Sequence, residues 1–170
     1  MGTLKTIMSR RSIYQFKESP ISNRAIKRIL KAAMNAPSAG DGRPWHFVVI
    51  KNREKLNAIA EKVDEGNATF KEAQAAILIC GDESKEGFLG FYPQNCACAG
   101  QNIYLASHDL GLGTVWIALW SVQPRINGIK EVISIPENII PFAIFPLGVP
   151  KQHPGEDYRY DETLIHRGSW

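Results

Sequence analysis

Residues 36–50 read APSAGDGRPWHFVVI, and the arrangement of the rest of the chain is organised around them. An amphipathic run must end by Ala36, because Pro37 disfavours helical backbone in the residue before it. Pro37, Ser38, Ala39, Gly40, Asp41, Gly42 and Pro44 then make a loop, and an apolar strand starts at Trp45. The glycines open backbone angles that other residues avoid, and the prolines keep the flanking elements out of the loop. Such a loop can bring bare N–H and C=O groups against a flat ligand. It can equally be an ordinary helix-to-strand connection.

On the N-terminal side, Leu4, Ile7 and Met8 give a short amphipathic helix that runs into Ser9-Arg10-Arg11-Ser12. Two guanidiniums beside a hydroxyl suit an anion, since the planar fork of arginine matches phosphate oxygens. A solvated basic turn is the plainer reading of those residues. Ser22 is a good N-cap for a helix whose apolar face is Ile26, Ile29, Leu30, Ala33 and Met34.

On the C-terminal side, residues 45–50 form a strand. Leu56, Ile59, Ala60 and Val63 mark a helix, and residues 75–80 form a second, wholly apolar strand. Apolar strands alternating with helices predict a sheet covered on both faces. Residues 83–92 are polar but carry Phe88, Phe91 and Tyr92, either an aromatic flap or rings folded back on the core. The longest helix covers 93–110, with Gly111 as its C-cap. Its stretch Cys96-Ala97-Cys98-Ala99-Gly100 is small on every side, which predicts burial against another helix or at a subunit interface. After a sharp turn at 111–118 come a short helix marked by Ile126, Ile129 and Ile133 and a strand over 142–149. The tail 151–170 holds Arg159, Arg167 and Trp170; with no core of its own it must lie along another surface.

The 170 residues fit one domain, 1–170, with 44% hydrophobic and 22% charged residues. A net charge of +3 is too mild to imply nucleic acid as a partner. Three cysteines without metal spacing read as small buried residues in a reducing compartment. No apolar run reaches membrane-spanning length and no signal peptide is recognisable, so the expectation is a cytoplasmic protein with no membrane partner. The match of residues 1–6 to a myristoylation pattern is taken as chance, and Asn67-Ala68-Thr69 is a glycosylation sequon only in a secreted protein.

No side-chain catalytic set is visible. His46, His108, His153 and His166 are scattered without metal-ligand spacing, and Ser38 lacks a nucleophile elbow. Gly111 and Gly113 match only half of a dinucleotide fingerprint. Basic groups at both ends of the chain, with flexible loops between them, suit a phosphorylated planar cofactor that brings its own chemistry.

The chain resembles the FMN-dependent nitroreductase family over nearly its whole length. The matching pieces are Arg10-Arg11-Ser12, residues 36–40 with Pro44-Trp45, Cys80-Gly81-Asp82, residues 99–110 leading into Gly111-Leu112-Gly113-Thr114, and Gly148-Val149-Pro150 with Arg159 and Trp170. The resemblance implies an α+β, three-layer sandwich with a central mixed sheet between helices, in an intertwined homodimer that holds FMN at the interface. By likeness, Arg10 and Ser12 hold the phosphate and ribityl chain, Arg11 reaches the ring edge, and Arg159 adds a cation at the phosphate. Pro37, Ser38 and Ala39 pack on the ring from the partner, Gly40 is a further cofactor-binding residue, and Gly113 and Thr114 approach the flavin with backbone groups. Phe88, Phe91 and Tyr92 are the substrate-side candidates. The implied activity is an NADH- or NADPH-dependent oxidoreductase acting on a small electron acceptor such as a nitroaromatic or quinone, with no catalytic side chain and no metal. Other tasks on the same fold, such as dehalogenation, enone reduction or heterocycle oxidation, and flavin binding without turnover, stay open. Asp41 and Arg43 depart from the pattern of many relatives at the pyrimidine edge, and Asn67 is a guess for an additional contact there.

Overall fold

The structure is a computed structural model that describes residues 2–63, 67–155 and 157–170; Met1 and the side chain of Asn67 fall outside them. In chain order the elements are α1 (Thr3–Ser9), β1 (Phe16–Lys17), α2 (Asn23–Met34), β2 (Trp45–Ile50), α3 (Arg53–Lys62), α4 (Asn67–Glu72) and β3 (Ala75–Asp82). They continue with α5 (Tyr92–Asp109), β4 (Gly113–Thr114), β5 (Ile117–Ala118), α6 (Gln123–Ile133) and β6 (Ile139–Pro150). The central path of the sheet is β1-β6-β3-β2, with β4 and β5 also pairing to β6.

Alternation along β3 builds the layers. Ala75, Ile77 and Ile79 face one core while Ala76, Leu78 and Cys80 face the other, because successive side chains of a strand point to opposite faces. The first face is covered by α2, through Ile26, Ile29 and Ala33, and by α5, through Cys96, Ala99 and Ile103. The second is covered by Leu56 and Ile59 of α3, Phe70 of α4, and Ile126 and Ile129 of α6. Full burial of each such side chain contributes about 1.5–3 kcal/mol. The three-layer α+β architecture is as expected. The sheet differs in one respect: every ladder among the described residues is antiparallel, where a mixed sheet was expected.

Local chemistry sets the ends of the elements. The Ser22 side chain accepts from the Ala25 N–H to start α2, and Asn52 accepts from Lys55 N–H to start α3. Opposite Ile79 and Cys80 the register slips around Phe142, whose carbonyl accepts from both Leu119 and Trp120 N–H groups. Gly100 has a cause within the chain. A Cβ there would sit 2.5 Å from the Trp116 ring and 2.9 Å from that of Phe145, so two aromatic rings fill the space above the helix where a second helix was one expectation.

Gly100→Val should therefore lower stability by about 3 kcal/mol through overpacking, despite removing a glycine from a helix. Denaturant unfolding of the two proteins measures it; equal stability would refute the assignment.

Candidate functional site

The Arg10–Ser12 segment leaves α1 in extended conformation, with Arg10 at φ −61°, ψ 136°. Arg10 and Ser12 both turn to Tyr104, while Arg11 turns to backbone carbonyls. Arg10 places its guanidinium carbon 4.6 Å over the Tyr104 ring. The Ser12 hydroxyl lies 3.0 Å from the Tyr104 hydroxyl. Arg11 donates to the Gly155 carbonyl at 3.0 Å and to the carbonyls of Met8 and Arg10 at 3.0 and 2.8 Å. These bonds clamp α1 to the start of the tail. The remaining Nη2 of Arg11 is buried with no hydrogen-bond partner among the described residues.

A cavity of about 590 Å³ opens beside this segment, lined by Lys5, Arg10, Arg11 and Arg159 among others. Among the described residues the one carboxylate of its lining is Asp157, which the Arg159 Nε holds at 2.6 Å and depresses below its ordinary pKa through that hydrogen bond. Cations in excess and an orphaned guanidinium nitrogen are the chemistry of an anion cradle, so a phosphate group fits the residues present. At the same end of the fold, Ser9 Oγ and His108 Nε2 are 2.8 Å apart. Burial, then the charges of His153 and Arg10, push the His108 pKa down. Ile13 N–H donates to the Thr114 carbonyl at 2.9 Å, and a Cβ on Gly113 would strike Ile13. One backbone group of Thr114 is therefore already engaged, while its own hydroxyl is buried without a partner.

The residues 37–43 form a separate group. Ala39 N–H donates to the Asn95 side chain at 3.0 Å, near the start of α5. Gly40, Asp41 and Arg43 all take positive φ (59°, 53° and 48°), and the carboxylate of Asp41 is held by two bonds from Arg43 at 2.8 and 2.7 Å. That pair is largely exposed, so the carboxylate faces solvent with its charge matched. A Cβ on Gly42 would lie 2.4 Å from the Gly87 nitrogen, which locks this loop to residues 85–87.

The aromatic segment is held, not loose. Glu86 accepts from Gly90 and Tyr92 N–H groups, and Asp82 accepts from both the Ser84 N–H and hydroxyl. Phe88 and Phe91 are exposed, with ring centroids 6.3 Å apart. Tyr92, expected with them on the substrate side, is instead buried. Its ring packs flat under Gly81 and its hydroxyl accepts from Trp120 Nε1 at 2.9 Å. The thiols of Cys80 and Cys96 are pushed up to about 12 by burial, which leaves them protonated core groups.

Three contributors escaped the sequence reading: Tyr104, Asn95 and the set His46, Asp82 and Lys85. His46 Nε2 lies 3.2 Å from Asp82 Oδ2 and 3.0 Å from Lys85 Nζ. A signal existed for Asn95 and Tyr104, which interrupt the small apolar face of α5 with polar atoms; nothing in spacing points to the third set.

The model of the Nitroreductase family matches residues 7–80 and 64–149. A Methanothermobacter thermautotrophicus protein, provisionally named NADH dehydrogenase/NAD(P)H nitroreductase, is 45% identical over 170 residues, covering 100% of this chain and 88% of its own. A Parabacteroides distasonis structure with the same provisional name superposes with a TM-score of 0.94 at 33% identity, covering 99% and 98% of the two chains. A Clostridium difficile structure described as an FMN-dependent nitroreductase gives 0.90 at 26% identity, covering 98% and 99%.

Hydrogen bonds from Ser84, then His46, and the charge of Lys85 lower the Asp82 pKa against the opposing effect of burial. With the folded pKa depressed, this stabilisation is complete above the ordinary value of 3.8 and is lost as pH falls through the folded value. Asp82→Ala should cost about 2 kcal/mol at neutral pH, with the deficit shrinking on acidification below the ordinary value. Stability curves of both proteins across pH test it, and a pH-independent deficit would contradict it.

Proposed function

The chain belongs to the nitroreductase family, and from that premise we propose that it is an FMN-dependent NAD(P)H oxidoreductase reducing nitroaromatic or quinone-type acceptors as an intertwined homodimer. FMN, when bound, supplies two-electron redox chemistry, and a single pocket used in turn by donor and acceptor gives ping-pong kinetics. The residues of the chain supply position and charge. Arg10, Ser12 and Arg159 would hold the phosphate end, with Lys5 adding to the positive field of the cleft. Pro37, Ser38, Ala39 and Gly40 would present the ring-facing loop, and Phe88 and Phe91 an apolar rim for flat acceptors. The Asp41–Arg43 pairing leaves no uncompensated carboxylate beside the ring.

One observation carries the dimer and the site together. Arg10 and Ser12 adjoin Tyr104 and the ring-facing loop adjoins Asn95, nine residues apart on α5, or about 14 Å at 1.5 Å per residue. The buried body of that helix lies between them. In a two-fold pair, the far end of one copy can face the near end of the other. The tail supports the same reading. Tyr158, Tyr160, Leu164 and Trp170 stand exposed, as do Leu4 and Met8 on α1, and apolar groups in such number need a covering surface.

Purified protein should be yellow or take up FMN on reconstitution, elute as a dimer, and bleach anaerobically with NADH or NADPH. Arg10→Ala should raise the Kd for FMN about 10- to 100-fold, the worth of a charged hydrogen bond. A colourless monomer that takes up no FMN would end the proposal, and a yellow protein that no donor reduces would leave only flavin binding.

A further inference from the structure

Tyr104 touches both Arg10 and Ser12. Its ring is buried on α5 and meets the Phe145 ring edge-on, with centroids 6.0 Å apart, which fixes its plane. The Trp116 N–H donates to its hydroxyl at 2.7 Å. A backbone N–H can only donate, so the Tyr104 oxygen is an acceptor there, which leaves its single proton available to Ser12 Oγ at 3.0 Å. With the proton so placed, Ser12 accepts from Tyr104 and keeps its own proton for a further acceptor. The face of the same ring carries the Arg10 guanidinium at 4.6 Å, an arrangement that holds the cation without neutralising it. Among the described residues no carboxylate pairs with Arg10.

We infer that Tyr104 is a positioning residue for the phosphate of bound flavin: its hydroxyl commits Ser12 to donate, and its ring aims Arg10 at the same anion. The inference rests on the reading that Arg10 and Ser12 hold that phosphate. The chain N-terminal to the sheet and the turn before β5 meet at this one phenol, so the anion site is set by α5 and not by the surface loop that carries Arg10 and Ser12.

The test is titration of apo-protein with FMN and with riboflavin, which lacks the phosphate. Wild type should prefer FMN. Y104F keeps the ring, hence the Phe145 contact and the guanidinium stack, and removes only the hydroxyl. It should weaken FMN about tenfold and leave riboflavin unchanged. S12A, which removes no core atom, should show the same phosphate-specific loss, and the double variant should be no worse than either single one, because one hydrogen-bond chain is broken in each case. Equal losses for both flavins in Y104F would make Tyr104 a scaffold residue and overturn the inference, as would additive losses in the double variant or an S12A protein with unchanged FMN affinity. A wild-type protein that binds the two flavins equally well would instead remove the phosphate reading itself.

Discussion

The twelve residues of β6 pair with β3 along one edge and with β1, β4 and β5 along the other. Three segments distant in sequence, at 16–17, 113–114 and 117–118, thus return to one strand. Each return closes a long loop, an entropy cost that grows only slowly with loop length, and the buried apolar run of β6 offsets it. The ladder also extends past its end: Lys151 N–H donates to the Gln15 carbonyl, so the tail departs beside the segment that carries Arg10 and Ser12. Arg159 reaches the same cavity as Arg10 because both segments are moored to one strand.

Much of this was legible in the residues, and the parts that were not share a physical cause. β2 and the helix capped by Ser22 follow from periodicity and one capping residue, both of which are local. The pattern over 142–149 gave β6 without its first residues, and 75–80 gave β3 without Gly81 and Asp82. α4 is six residues long, too short to display a period, although its Phe70 is fully buried. β4 and β5 have two residues each and exist only because β6 offers them an edge. Strand direction was equally invisible: alternation of burial reports that a sheet is covered on both faces, and says nothing about how neighbours run. Phe88, Phe91 and Tyr92 looked alike as aromatic residues, yet the glycine at 81 admits only the last ring beneath the chain.

The candidate site divides along the same line. Arg10, Ser12 and Arg159 were nameable because charge and hydroxyl chemistry belong to the residue itself. Tyr104 was not, since its role exists only where Ser12, Arg10 and Trp116 come together in space. Arg11 is the converse case, a cation legible as a ligand group that the fold turns onto backbone carbonyls.

Charge is distributed between the two ends of α5 in a way that bears on which end receives an anion. Near His108 the cations Lys5, Arg10 and Arg11 share a cavity with Arg159, whose Asp157 partner offsets one charge. At the Asn95 end, Arg43 is neutralised by Asp41, Lys85 lies 3.7 Å from the Asp82 carboxylate, and Glu86 is satisfied by backbone N–H groups. The first end is a net positive field in a concave space, where low-dielectric walls strengthen attraction for phosphate. The second has its cations paired with carboxylates, with positive-φ backbone and exposed aromatic rings, which favours contact with a flat surface over an anion. Under the proposed function, that division matches the phosphate and the ring of a flavin nucleotide.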